Sequence, residues 1–172
     1  MKARTIWVAL MTGLLLVPQM AASASAADAS APDAAAGPID FSLPRIGGGQ
    51  VAVKEFRGQW VVLNYWATWC APCRKEIPEL AKLHDEREDI TVLGLAYEDT
   101  GEAAFEEFLA EFDVTYPVLR VDVYQPPEPF GAPKALPTTI VLDRAGYVVK
   151  TFLGPVTRAS VEAFIDGESG GR

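Results

Sequence analysis

The sequence predicts an α/β domain built on a central mixed sheet flanked by helices. The prediction follows from the order of strand and helix patterns along the chain. A continuous apolar strand at 61–66 is followed by a helix pattern from 71 to about 88. A second apolar strand, at 90–96, precedes apolar residues at helical spacing between 105 and 112. A closing hairpin between 140 and 152 then leads to a last helix. Strand–helix units followed by a hairpin and a helix are typical of a mixed sheet covered by helices.

Length and composition fit a single acidic domain. The chain has 172 residues, of which 49% are hydrophobic, and this is enough for one packed core. Its formal net charge is −8 at pH 7. Nucleic acids and anionic lipids carry negative charge and bind an acidic domain poorly. We therefore expect no nucleic-acid partner.

The N-terminus has the order of a secretory signal peptide, which we predict at residues 1–26. Positive residues precede an apolar run at 6–17, and residues 24–26, Ala-Ser-Ala, fit a cleavage site. The alternative is an uncleaved membrane anchor, although a membrane span needs about 20 apolar residues. Residues 27–38 are Ala, Ser, Asp, Gly and Pro and predict a flexible linker. If the signal were retained, this linker would become a membrane tether.

The folded domain is predicted at residues 39–166. Its first element is a β-hairpin, because alternating segments at 41–44 and 50–53 flank a glycine turn at 47–49. The glycine-rich end, residues 167–172, predicts a disordered tail.

Both cysteines of the chain, Cys70 and Cys73, lie where the first strand leads into the first helix. A helix N-terminus carries unpaired N–H groups and about half a positive charge, so it stabilises a thiolate. We therefore predict that Cys70 is the exposed nucleophile and that Cys73 can close a disulfide with it. Two cysteines at this spacing in a strand–helix unit are typical of thiol–disulfide exchange.

Two other interpretations of the cysteine pair fit the sequence less well. Half of a zinc site would need further ligands, but the chain has no second cysteine pair, and its one histidine, His84, cannot complete a tetrahedral set. Two inert core thiols would leave the flanking tryptophans and the Ala-Pro between the cysteines unexplained. We expect no metal and no organic cofactor, and we predict that His84 lies at the surface without a role.

Spacing predicts the remaining elements. Asp99 is expected to cap the second helix, with Glu102 three residues later. Residues 116–123 predict another strand, and the four prolines within 125–134 predict a loop whose role in partner choice stays open. Thr157 is expected to cap the last helix. The apolar stripes of the helices are Ile77, Leu80, Ala81 and Leu83 in the first and Phe105, Phe108, Leu109 and Phe112 in the second.

The string Trp69-Cys70-Ala71-Pro72-Cys73 resembles the active site of the thioredoxin superfamily. With Phe56–Trp60 before it and Arg74-Lys75-Glu76 after it, it is similar to the TlpA/ResA-like branch, which includes CcmG-related proteins. These bacterial proteins face the periplasm or the outer side of the membrane. The likeness runs from about Phe41 to Ile165 and implies a thioredoxin-like fold with an N-terminal β-hairpin extension.

The resemblance also implies site residues. Glu76 would lie under the active site and tune the thiols, and the alternative is a solvated glutamate favoured by the helix dipole. A cis-proline before the strand at 140 would face the cysteines, and its neighbour would pair with an extended substrate. The substrate-binding residues implied in this way are Trp69, Ala71, Pro72, Leu136 and Pro137.

The resemblance implies a periplasmic thiol–disulfide oxidoreductase that acts mainly as a reductant of protein disulfides. Cys70 would attack the substrate disulfide and Cys73 would resolve the mixed disulfide, without metal or organic cofactor. A membrane thiol–disulfide electron conduit would recharge the pair. The implied clients are apocytochrome c or copper-site proteins, and the sequence does not choose between them.

Other functions on the same scaffold are less consistent with the residues. A copper-handling assembly chaperone resembles Cys-x-x-x-Cys with a distal histidine, which this chain lacks. A non-catalytic docking module would not need the intact cysteine pair. A peroxidase resembles Pro-x-x-x-Thr-x-x-Cys, but Leu63 and Ala67 fill the Pro and Thr positions. The position of Asn64 resembles that of a buried aspartate in thioredoxins. The alternative interpretation is that Asn64 is simply a hydrogen-bonded amide of the core.

Overall fold

A computed structural model describes residues 37–128 and 130–170. The predicted signal peptide and residues 27–36 of the predicted linker lie outside these ranges. The described part contains seven strands and three α-helices. They are β1 Ser42–Pro44, β2 Gln50–Ala52, β3 Trp60–Trp66, α1 Ala71–Glu86, β4 Ile90–Ala96, α2 Glu102–Glu111, β5 Val118–Arg120, β6 Thr138–Leu142, β7 Val148–Leu153 and α3 Arg158–Gly170, with a short 3-10 helix at Val53–Phe56.

The five strands β3–β7 form one mixed sheet in the order β5-β4-β3-β6-β7. Strand β4 runs parallel to β3 and to β5, whereas β6 runs antiparallel to β3 and to β7. The carboxyl ends of β3, β4 and β5 therefore meet the start of β6 and the end of β7 at one edge. This arrangement confirms the predicted thioredoxin-like α/β fold.

Alternate residues of β3 face two separate apolar clusters, as the period of two in a strand requires. Val62 and Trp66 face the cluster to which all three described helices contribute. Val61, Leu63 and Tyr65 face a second cluster, which the N-terminal segment and the loop before β6 cover. Asn64 is the buried polar residue of β3, and its position in the alternation places it on the helix side.

The N-terminal extension is the predicted hairpin, with β1 paired antiparallel to β2. Its turn has positive φ at Gly47, Gly48 and Gly49, a conformation that residues with a side chain rarely adopt. The hairpin docks on β5, where the N–H of Ile46 donates to the carbonyl of Val118 at 2.9 Å.

Several local expectations are corrected by the structure. Helix α1 ends at Glu86 rather than near 88. Helix α2 begins after Gly101, so Asp99 is not its cap, and the carboxylate of Glu102 accepts from the N–H of Gly47. Only 118–120 of the expected strand at 116–123 is paired.

The C-terminal end of the domain also differs from expectation. Helix α3 continues to Gly170, so residues 167–170 are helical rather than a disordered tail. At its start, Ser160 N–H donates to Thr157 Oγ1 at 3.2 Å, and Thr157 N–H donates to Ser160 Oγ at 3.0 Å. This reciprocal pair confirms Thr157 as the cap.

His84 is half-buried rather than at the surface. Its Nδ1 accepts from the N–H of Val92 at 3.3 Å, and its ring lies edge-on to Tyr116. Burial lowers the pKa of His84 below its ordinary value. The hydrogen bond between His84 and Val92 therefore links α1 to β4.

Candidate active site

The two cysteines form a disulfide at the junction of β3 and α1. Cys70 is the N-cap of α1, and its sulfur accepts from the N–H of Cys73 at 3.4 Å. This geometry places the Cys70 sulfur at the positive end of the helix, as the sequence predicted. Cys70 is 3% exposed and Cys73 0%, so the expected exposure of Cys70 is wrong for the disulfide form, in which its sulfur is bonded and its backbone lies in the turn.

Exposed residues surround this buried pair. The side chain of Trp69 is 70% exposed, and Ala71 and Pro72 are also exposed. Pro72 occupies the first turn of α1, where its missing N–H costs no helical hydrogen bond. The polypeptide between the cysteines is therefore accessible to a partner, although the sulfurs are covered.

Leu136 and Pro137 lie at the same edge of the sheet. The peptide bond between them is cis, as the resemblance implied. Pro137 is directly followed by β6, whose first residue, Thr138, pairs with Tyr65 near the end of β3. The carbonyl of Pro137 accepts from the N–H of Gly154 at 2.9 Å, which fixes the loop that follows β7.

A buried polar cluster lies on the helix side of β3, one helical turn after Cys73. Glu76 is 2% exposed, which excludes a solvated glutamate at this position. Its Oε1 accepts from Asn64 Nδ2 at 2.8 Å, and its Oε2 accepts from the N–H of Val156 at 2.8 Å. Asn64 Nδ2 also donates to Thr139 Oγ1 at 3.0 Å. The cluster thus joins α1 to β3, β6 and the segment before α3.

Burial raises the pKa of Glu76, because a dry environment disfavours its charged form. The hydrogen bonds from Val156 and Asn64 act in the opposite direction and lower it. Burial and then the negative charge of Glu76 raise the pKa of Tyr116. The protonation of Glu76 therefore depends on the balance between its burial and its hydrogen bonds from Val156 and Asn64.

Asn64 is a hydrogen-bonded core amide, but only through its donors. Nδ2 donates both of these hydrogen bonds, while Oδ1 has no hydrogen-bond partner among the described residues. An aspartate at this position would place a second carboxylate beside Glu76. The amide instead donates to the carboxylate and satisfies one of its oxygens.

Several residues of this region carried no recognisable signal in the sequence. Thr139 and Val156 contact Asn64 and Glu76 only because the fold brings distant parts of the chain together.

A cavity of about 340 Å³ opens at the carboxyl ends of β4 and β5. Its lining includes Glu98, Arg120 and Tyr124, none of which belongs to a sequence motif.

The described residues contain neither a candidate metal cluster nor a helix that could span a membrane. Within residues 37–128 and 130–170, no group of three or more His, Cys, Asp or Glu side chains could hold a metal ion. In the same ranges, none of the helices is long and apolar enough to cross a membrane.

Comparison with known proteins places this disulfide in a redox context. The sequence profile of the AhpC/TSA family matches residues 34–151. Thioredoxin-like protein YneN of Bacillus subtilis (strain 168) is 31% identical over 130 residues, which are 74% of this chain and 75% of that protein. Thiol-disulfide oxidoreductase ResA of Bacillus thuringiensis subsp. konkukian is 27% identical over 128 residues, 73% of each chain.

A solved structure agrees with the sequence relatives. The secreted thiol-disulfide isomerase from Corynebacterium glutamicum superposes with a TM-score of 0.64 and is 32% identical, over 73% of this chain and 81% of that one. The likeness to ResA confirms the resemblance found in the sequence.

Proposed function

Since the chain belongs to the AhpC/TSA family and is a thiol–disulfide oxidoreductase, we propose that it acts outside the cytoplasm, in the periplasm, as a reductant of disulfides in other proteins. The observation that carries this proposal is the Cys70–Cys73 disulfide at the start of α1. Its clients would be proteins with paired cysteines, such as apocytochrome c or copper-site proteins.

The reaction begins from the dithiol. The Cys70 thiolate attacks one sulfur of the client disulfide, and the other client sulfur leaves as a thiolate that takes up a proton. The thiolate of Cys73 then attacks the Cys70 sulfur of the mixed disulfide, which releases the second client thiol and forms the Cys70–Cys73 bond. Cys70 is the attacking sulfur in this scheme because it stands at the N-cap of α1, where the helix stabilises a thiolate.

The exposed residues around the pair would bind the client chain. Trp69, Ala71 and Pro72 offer apolar contact on one side of the sulfurs. The backbone of Leu136, before the cis Pro137, would pair with an extended client segment by strand addition. Such main-chain pairing fits clients of different sequence.

Export is proposed from the order of the first 26 residues and is supported by the secreted relative from Corynebacterium glutamicum. Outside the cytoplasm the pair would need an electron source, for which we propose a membrane thiol–disulfide conduit. Cell fractionation and N-terminal sequencing of the mature protein test this proposal. A protein that starts at Met1 and stays in the membrane would indicate a retained anchor.

The reduction potential of the Cys70–Cys73 pair is expected near the ~−270 mV of thioredoxin rather than the ~−120 mV of a strong oxidant. The residues between the cysteines are Ala71 and Pro72, so no histidine is present there to stabilise the thiolate further. Equilibration with glutathione measures the potential, and reduction of insulin disulfides by the dithiol form measures the activity. A potential near that of the oxidant would show that the protein donates disulfides instead.

Glu76→Gln is expected to lower the apparent pKa of the Cys70 thiol. When Glu76 is ionised, its charge repels a forming thiolate on the adjacent helical turn, and glutamine removes that charge. Absorbance of the thiolate against pH gives the titration. The control is Asn64→Ala, which removes the amide but no charge and should mainly lower the free energy of unfolding. An identical titration of Glu76→Gln and wild type would assign Glu76 to packing alone.

The same variant should change how stability depends on pH. The pKa of Glu76 lies above its ordinary value of 4.5 in the folded protein, so between these two values the folded state binds more protons than the unfolded state. The contribution of Glu76 to the free energy of unfolding is therefore greatest below 4.5 and falls as pH rises from 4.5 through the folded pKa. In Glu76→Gln this fall should be smaller, although the amide has a single acceptor oxygen for the two bonds that the carboxylate accepts, and the loss of one of them lowers stability at every pH.

A further inference from the structure

The turn between β3 and α1 is held by side chains from two other parts of the fold. Thr68 lies in this turn, two residues before Cys70. Its backbone N–H donates to Glu98 Oε1 at 3.0 Å, and its hydroxyl donates to Glu98 Oε2 at 3.1 Å. Its carbonyl accepts from Arg74 Nη1 at 3.4 Å. Charged side chains thus engage all three polar groups of Thr68, and we call this arrangement the Thr68 clamp.

Arg74 connects the clamp to helix α2. Its Nη2 donates to Glu111 Oε1 at 3.0 Å, and its guanidinium carbon lies 4.8 Å from the centre of the Phe112 ring. It also lies 5.3 Å from the ring of Phe108, which stacks on Trp66 at the end of β3. A guanidinium held by an ion pair and by aromatic faces has little rotational freedom left. Arg74 is therefore fixed in place where it bonds Thr68.

The backbone next to Glu98 is anchored at the end of β4. Glu98 is the second residue after β4, and the N–H of the residue between them, Tyr97, donates to the carbonyl of Trp66 at 2.8 Å. The ends of β3 and β4 are thereby tied together next to the clamp. The backbone that carries Glu98 is therefore anchored beside Thr68, the residue to which its carboxylate is hydrogen-bonded.

Reduction removes the covalent link that holds Cys70 beside Cys73. The disulfide takes up two electrons and two protons and becomes two thiols. In the disulfide form the bond restrains Cys70 whether or not the clamp is present. In this structure the N–H of Cys70 donates to the carbonyl of Ala67, and the carbonyl of Cys70 accepts from the N–H of Arg74, both at 3.1 Å. Once the disulfide has opened, these bonds of the turn and the clamp on Thr68 would be the restraints that remain on Cys70.

We propose that Glu98 and Arg74 are positioning residues of the exchange reaction, which hold Cys70 at the N-terminus of α1 once the disulfide has opened. The clamp keeps the Cys70 sulfur aligned with the helix N-terminus, which stabilises a thiolate in the dithiol form but has no charged sulfur to stabilise in the disulfide. Loss of the clamp therefore raises the pKa of the Cys70 thiol and, through the weaker thiolate, shifts the equilibrium toward the disulfide. The inference rests on the proposed attack by Cys70, but it concerns the equilibrium of the pair whichever way electrons flow.

Glu98→Ala is the main test. In a glutathione buffer we expect the dithiol-to-disulfide ratio to fall about tenfold, which corresponds to about 30 mV for two electrons. Arg74→Lys keeps the positive charge but loses the planar group over the rings, so a smaller shift in the same direction is expected. Thr68→Val removes only the hydrogen bond from the hydroxyl to Glu98. Thr68→Ser keeps a hydroxyl, so its dithiol-to-disulfide ratio should be closer to wild type than that of Thr68→Val.

The matched control is Arg87→Met, at the other end of α1. Arg87 Nε lies 2.9 Å from Asp89 Oδ1, and its Nη2 lies 3.0 Å from Asp166 Oδ1, so this variant removes the contacts of one charged side chain with two partners, as Arg74→Lys and Glu98→Ala disturb contacts of one charged side chain. Because these contacts are remote from the cysteines, Arg87→Met should lower the free energy of unfolding of both redox forms equally and leave the ratio unchanged.

The outcome that overturns the proposal is equally definite. If Glu98→Ala destabilises the disulfide and dithiol forms equally, with the glutathione ratio unchanged, Glu98 is a structural residue only. If Glu98→Ala does not fold, the milder Thr68→Val decides in the same way. Failure of the protein to reduce insulin would contradict the proposed function but not the clamp, since the ratio is measured on the protein's own cysteine pair.

Discussion

Cys70→Ser is expected to reduce thiol–disulfide exchange to the uncatalysed background, whereas Cys73→Ser should accumulate mixed disulfides with clients. A serine hydroxyl cannot form the disulfide intermediate, so the first step is lost when Cys70 is replaced. Without Cys73, the first step still occurs but resolution within the protein does not. Insulin reduction measures the first effect, and non-reducing electrophoresis with mass spectrometry detects the trapped clients.

Alkylation of the reduced protein provides an independent check on these roles. The N-cap position of Cys70 favours its thiolate, and Cys73 is fully buried one turn into the helix. Limited alkylation should therefore modify Cys70 first. Preferential modification of Cys73, or mixed disulfides formed by Cys70→Ser, would reverse the assignment. The trapped clients would also distinguish apocytochrome c from copper-site proteins.

Trp66→Ala is expected to cost about 3–5 kcal/mol of the free energy of unfolding. Trp66 is fully buried, with its ring stacked on Phe108 at 5.0 Å and edge-on to Phe105 at 6.2 Å. Its truncation would leave a cavity between β3 and α2 that the surrounding rings can fill only in part. Because domains are stable by only about 5–15 kcal/mol, this loss should be plain in urea unfolding.

Trp69→Ala is the matched control, because it removes the same side chain three positions later. Trp69 is 70% exposed, so its truncation should change the free energy of unfolding by no more than about 0.5 kcal/mol. Its expected effect is instead on the KM for a protein client. Equal losses of stability in the two variants would contradict the burial described here.

Much of the fold could be predicted because the decisive patterns are local. The continuous apolar runs of β3 and β4, bounded by helix signals, place these strands to within one residue. The position of the cysteines at a strand–helix junction likewise follows from neighbouring residues. Leu136 and Pro137 were found through resemblance, since the sequence alone gives any X–Pro bond only about a 5–6% chance of being cis.

What could not be predicted depends on distant partners. The surroundings of Glu76 come from Asn64, 12 positions away, and from Val156, 80 positions away. No periodicity within a helix reports such contacts, so burial and solvation of Glu76 remained alternatives. Asp99 was misassigned because a capping pattern fits several nearby residues, and the pairing of Glu102 with the hairpin selected Gly101.

The position of β3 at the centre of the sheet has a consequence for how the chain folds. Asn64 of β3 is paired with Thr139 of β6, 75 positions later, so the sheet closes a long loop at an entropic cost that grows with loop length. Non-local pairing of this kind slows folding relative to helical proteins. A chain that emerges N-terminus first therefore has its cysteines exposed before β6 arrives to complete the sheet beside them.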